Sequence, residues 1–149
     1  MTKTSQKLMA AMLLASATSA LADDYSGLGQ RAYALWDCAA FGFVAEDERA
    51  SALFELGHSQ MTVLLEARRD GKLTKENTKD MPIGLGWYLI DGPSIEFSLG
   101  YMWAQFSQHA FDETYDEELQ ATFDEKKELQ KLKASTAFQD KNCALLAVQ

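Results

Sequence analysis

The sequence predicts an all-α fold, a small bundle of four to five helices with one disulfide joining the first helix to the C-terminal segment. Three observations carry this. Apolar residues recur at three- and four-residue spacing through most of the chain, as they do on helices with a buried face. Gly71, Pro82 and Asp91-Gly92-Pro93 punctuate that pattern, and after Gly100 there is neither glycine nor proline. The cysteines are just two, Cys38 and Cys143, far apart in the chain.

The first 22 residues are set aside. Lys3 and Lys7 precede an apolar run from Leu8 to Ala15, and Ala20-Leu21-Ala22 ends the segment before Asp23-Asp24. A basic start, a short apolar stretch and a small-x-small end are the parts of a secretory signal peptide. The alternative is an amphipathic helix retained on the protein. The run falls short of the about 20 residues a membrane span needs. We therefore expect residues 1–22 to be a signal peptide and residues 23–149 a single helical domain, periplasmic or extracellular after cleavage near Ala22.

The first helix is expected from Tyr25 to about Glu46, with Leu28, Ala32, Leu35, Trp36, Ala39 and Phe43 on its main face and Cys38 on the flank. Glu46-Asp47-Glu48 combines a possible cap with acidic residues suited to a first turn. The second helix follows from about Asp47 to Arg69. Its stripe is Ala50, Leu53, Gly57, Met61 and Leu64, and Arg68-Arg69 before Gly71 form a stop signal. Lys72 to Lys79 reads as an exposed loop.

Met81 to Ile90 is apolar, holds two glycines, and is bounded by Pro82 and by Asp91-Gly92-Pro93. A lone strand without a partner is unstable, so a short helix or an extended linker packed on the bundle is expected. Leu85, Trp87 and Tyr88 are the candidate binding surface, because apolar connectors with glycine can line a groove.

Ser94 to Phe111 is expected to be the central helix. Ile95, Leu99, Met102, Trp103, Phe106 and Ala110 fall on one face, and Phe97, Ala104 and Phe111 form a second line with Gly100 and Tyr101 beside it. Apolar residues on two sides predict cover on two sides. Thr114-Tyr115-Asp116-Glu117 has capping-box form and predicts a new helix start. From Asp124 to Lys133 mixed charges at helical spacing predict a solvated face, and Phe138 and Cys143 to Val148 return to the core.

Charge narrows the partners. With Lys3 and Lys7 in the pre-sequence, 12 Lys and Arg stand against 22 Asp and Glu from Asp23 onward, a formal charge of −10. Such a chain is unfavourable for nucleic acid and anionic lipid, where positive charge supplies affinity. It suits a basic protein partner. No other segment is apolar and long enough to span a bilayer. In an oxidising compartment an isolated cysteine pair becomes a disulfide. The spacing is not Cys-x-x-Cys, so a structural bridge is expected rather than a redox motif.

Catalytic signatures are few. Glu55-Leu56-Gly57-His58 has the Glu-x-x-His spacing of di-iron bundles, but those sites need two such units and further carboxylates. The only other histidine, His109, has Phe106 three residues before it. Glu55, His58 and His109 are therefore low-ranking metal candidates, and a structural role for both histidines is the expectation. Neither a Gly-x-Ser-x-Gly elbow, a phosphate loop nor a haem signature occurs, and no cofactor is expected. Disulfide-tethered helical proteins of the bacterial cell envelope offer a general analogy. The leading expectation is an exported, non-enzymatic binding protein of that envelope, acting through an acidic surface on a protein partner in an inhibitor, immunity or accessory role. The alternatives are a small-ligand carrier or stress chaperone with an apolar groove near Gly84–Ile90, and a metal-dependent enzyme using Glu55, His58 and His109.

Overall fold

The computed structural model describes residues 24–147. The segment read as a signal peptide lies outside them. Six helices follow in order: α1 (Tyr25–Ala45), α2 (Ala50–Arg69), α3 (Ile83–Tyr88), α4 (Ile95–Thr114), α5 (Phe123–Asp140) and α6 (Cys143–Leu146). Four are long and two are short, with no strand among the described residues. The all-α expectation holds, and so does the bridge.

Each helix begins and ends for a local reason. Asp24 caps α1 by accepting from the Gly27 backbone N–H at 3.0 Å. Glu46, in left-handed backbone, ends α1, and its N–H donates to the Gly42 and Phe43 carbonyls. The Asp47 carboxylate then accepts from the Arg49 backbone N–H at 3.0 Å and pairs with the Arg49 guanidinium. That bond holds Asp47 below the usual carboxylate range. The second helix therefore starts at Ala50 rather than at Asp47, because Glu46 to Arg49 are spent on the turn. Gly71, at φ 67°, closes the far end of α2 in a conformation that glycine adopts without a Cβ penalty.

The centre of the bundle is α1, not the Ser94–Phe111 helix. Twelve of the 21 residues of α1 are buried, against six of the 20 in α4. Trp36 is the largest side chain in the core and is fully covered. Its indole N–H donates to the Phe54 carbonyl at 3.1 Å. Phe54 stacks on it, and Trp103 and Phe106 meet it edge-on, with centroids 5.6–5.9 Å away. Such packing needs a gap on α2, and Gly57 supplies it: a Cβ there would collide with Trp36 Cδ1.

On the other side of α1, Leu35, Cys38 and Ala39 meet Leu53, Phe138 and Cys143 in a second cluster. The Cys38–Cys143 disulfide lies within it, with Cα atoms 5.4 Å apart across 105 residues of sequence. Lys141, beside it, pairs with the mostly buried Asp37 at 2.9 Å and lies over the Phe41 ring. The first helix is thereby fastened to the α5–α6 corner.

The expected helix start at Thr114 is displaced. Thr114 is the last residue of α4, and its hydroxyl donates to the Ala110 carbonyl at 2.6 Å. Tyr115 stacks on Phe111 instead of entering a new helix. The capping box sits at Thr122, whose hydroxyl accepts from the Glu125 backbone N–H while the Glu125 carboxylate accepts from the Thr122 N–H. Thr122→Ala is expected to lower stability by about 1 kcal/mol, read from the urea midpoint.

Candidate functional site

The short segment between Met81 and Ile90 divides its apolar residues between two environments. Pro82 leads into α3, one and a half turns long, which points Leu85 inward, where it is fully buried near Gly29 of α1. Leu85 is therefore core and is withdrawn from the candidate binding surface. Tyr88 is partly buried, edge-on to Phe106 at 5.5 Å. Trp87 faces outward with 78% of its surface exposed, and Ile83, four residues before it, is exposed too. Gly84–Ile90 is thus a plug with an exposed outer side, its Leu85 and Leu89 filling the space a groove would need.

Glu55, His58 and His109 are not assembled into one site. Glu55 is exposed on α2, His58 packs against the rings of Trp36 and Phe54, and His109 meets the edge of Phe41. Among the described residues, no group of three His, Cys, Asp or Glu side chains is placed to hold a metal ion.

The surface that stands out belongs to α4. Ser94 accepts from the Phe97 backbone N–H and starts the helix. From there Leu99, Met102, Phe106 and Ala110 face inward and are buried. The opposite side carries Phe97, Gly100, Tyr101, Ala104, Gln108 and Phe111, all exposed. The second apolar line of this helix, expected to be covered, is open to solvent. Phe97 shows 53% of its surface. From Phe97 to Phe111 there is no Asp, Glu, Lys or Arg. A helix that faces water on one side normally carries charge there.

Beside this face lies a cleft of about 300 Å³ between α1 and α4, lined by Ala40, Phe43, Val44, Trp103 and Ser107. Phe43 forms part of its wall with 46% of its surface exposed, rather than lying in the core as its place on the α1 stripe predicts. It is held edge-on by Trp103 and Phe54. Trp103 and Ser107 are three or four positions from Gly100, Ala104 and Phe111, and so adjoin them on the helix surface. The cleft therefore adjoins the outer face, and none of its lining residues is charged.

Its borders are acidic. Glu96 lies one residue before it and Asp112-Glu113 directly after it. Glu96 is held below the usual carboxylate range, first by a backbone N–H in the opening turn, then by Ser94, with the Arg69 guanidinium, itself bonded to the Gly92 carbonyl, adding to the effect. Asp112 accepts from the Gln108 amide at 2.6 Å. Among the described residues neither Asp112 nor Glu113 has a Lys or Arg within salt-bridge distance. Arg68 does reach Asp91, Lys133 approaches Asp116, and Lys126 lies over the Tyr115 ring that stacks on Phe111.

The sequence contains a signal for this region. Between Lys79 and Lys126 there is no lysine or arginine, while carboxylates recur at Asp80, Asp91, Glu96, Asp112, Glu113, Asp116 and beyond. Charge summed over the whole chain hides that gap. No protein-family model, curated protein or solved structure matches the chain.

Proposed function

We propose that this is an exported, non-enzymatic binding protein that acts on a protein partner through the outer side of α4 and the adjoining cleft. The observation carrying the reading is the uncharged, aromatic-bearing face from Phe97 to Phe111, exposed in a stretch whose only charges are negative. An exposed apolar area with a polar rim is the pattern of an interaction site. Exposed aromatic residues toward both ends of the face, Phe97 and Tyr101 at one and Phe111 at the other, suit anchoring, and the acidic rim suits steering of a basic partner. Export is supported by the layout of residues 1–22 and by the buried disulfide, a bond that persists in oxidising compartments. No helix among the described residues is long and apolar enough to cross a membrane.

The test is affinity capture from an envelope extract with the wild-type chain and with Ala104→Arg. Ala104 is exposed at the middle of the face, so the variant is expected to keep the wild-type unfolding midpoint. A protein retained by wild type and lost with Ala104→Arg is the expected result. Identical recovery by both chains, or nothing above bare resin, rules the reading out.

A further inference from the structure

We infer that the occupant of this face is a partner helix with a small or apolar side and Lys or Arg at both ends, laid along α4 from Phe97 to Phe111. The inference rests on the reading above that the face binds a protein, and it adds the chemistry of what is bound.

The backbone of α4 decides the mode first. Its N–H and C=O groups are spent within the helix, so the face offers no free edge to which a strand could pair. Recognition must be by side chains. The open stretch is 14 residue steps long, about 21 Å at the helical rise, which matches about four turns of a second helix. Gly100 and Ala104 form a low saddle between Phe97 and Tyr101 on one side and Phe111 on the other. A Cβ built on Gly100 would meet nothing within 4 Å, so another helix can approach the backbone closely there. The cleft beside Ala104, with Phe43 and Trp103 in its wall, takes one large apolar side chain from the same segment.

Charge then decides which helix. Glu96 stands at one end of the face and Asp112-Glu113 at the other. In a second copy laid antiparallel, Glu96 of each chain would meet Asp112 and Glu113 of the other. Laid parallel, each carboxylate would meet its own counterpart. Both arrangements set like charges together, and the net charge of −10 from Asp23 onward adds to the repulsion. A segment with cationic ends satisfies both borders.

The experiment uses three synthetic peptides of about 15 residues, the length that spans the face. One has a Leu/Ala side with Lys and Arg at both ends. The second has the same side with Glu ends. The third keeps the cationic ends but spreads its apolar residues around the helix. Binding is measured by calorimetry and mapped by backbone amide shifts on the full mature chain, wild type, Ala104→Arg and Asp112→Lys/Glu113→Lys. The first peptide is expected to bind, to shift amides between Phe97 and Phe111, and to weaken with added salt. Each variant is expected to weaken it about tenfold or more. Equal binding of the second or third peptide overturns the inference, as does no binding of the first. Shifts confined to the acidic loop after Asp112 overturn it too. So does a dimer of the free protein that Ala104→Arg dissociates, which would make the occupant a second copy. If capture from the extract depends on Ala104 while the first peptide fails, the binding function survives and only the helical, cationic occupant falls.

Discussion

Replacing Cys38 and Cys143 together by alanine is expected to lower stability by about 4–5 kcal/mol, the chain-entropy value for a loop of roughly 100 residues. For a domain of this size, at about 3–5 °C per kcal/mol, the melting temperature should fall by roughly 15–20 °C. A loss of this order is a large part of the total stability of about 5–15 kcal/mol typical of single domains. The bridge spans 105 residues, nearly the whole described chain, so breaking it releases nearly all of the unfolded ensemble. That origin leaves a second signature. An unfolded chain without the crosslink exposes more surface, so the denaturant slope should rise as the midpoint falls. Damage to the core alone would lower the midpoint at constant slope. A loss under about 1 kcal/mol would show that the bridge merely joins elements already held together by Lys141–Asp37 and the packing of Phe138. Both sulfurs are buried, so reduction of the native protein must wait for α6 to detach. Its rate should therefore rise in mild urea.

The bundle was legible in the sequence wherever one rule acted alone. Helical spacing located α1, α2 and α4, Gly71 and Ser94 marked boundaries, and the cysteine pair announced its bridge. The organising helix was not legible, because composition cannot distinguish a second apolar line that is covered from one left open. Phe97, Tyr101 and Phe111 read the same either way, and partner cover is decided outside α4. The core position of α1 was hidden for a related reason. Its other sides are closed by small residues such as Gly29, Ala40 and Gly42, which contribute little to an apolar pattern yet permit close packing. At the α4–α5 junction two Thr-x-x-Glu patterns compete, at Thr114 and Thr122. The choice falls to Thr122 because the Thr114 hydroxyl is already bonded back to Ala110 and accepts from the Gln130 amide. The exposed face was present in the sequence as a gap in positive charge, visible once charge is read by segment.

Trp36→Ala is expected to cost about 3–5 kcal/mol, the range for removing a large aromatic side chain from a core. Circular dichroism in urea gives the cleanest reading, since the substitution removes a fluorophore. The side chain is fully buried and joins α1 to α2 and α4 through Phe54, Trp103 and Phe106, so no single helix can move to fill the void. Trp36→Phe keeps an aromatic ring but loses the N–H to the Phe54 carbonyl. That carbonyl still has its helical partner, so the cost of the lost bond itself should be about 1 kcal/mol. Gly57 supplies the stronger test of the same packing. In the wild-type chain Gly57→Ala places a Cβ against Trp36 Cδ1, a ring held on three sides by other rings. Overpacking of this kind costs about 1–3 kcal/mol and should outweigh the gain of about 1 kcal/mol that alanine brings to a helix interior. In the Trp36→Ala background the obstructing ring is gone, and the next contact is Leu35 Cβ, 3.2 Å from the added carbon. There Gly57→Ala should be neutral or stabilising. The two substitutions together should then cost less than the sum of their separate costs by about 1 kcal/mol or more. Simple additivity would mean that the glycine serves the backbone of α2 and not the ring of α1.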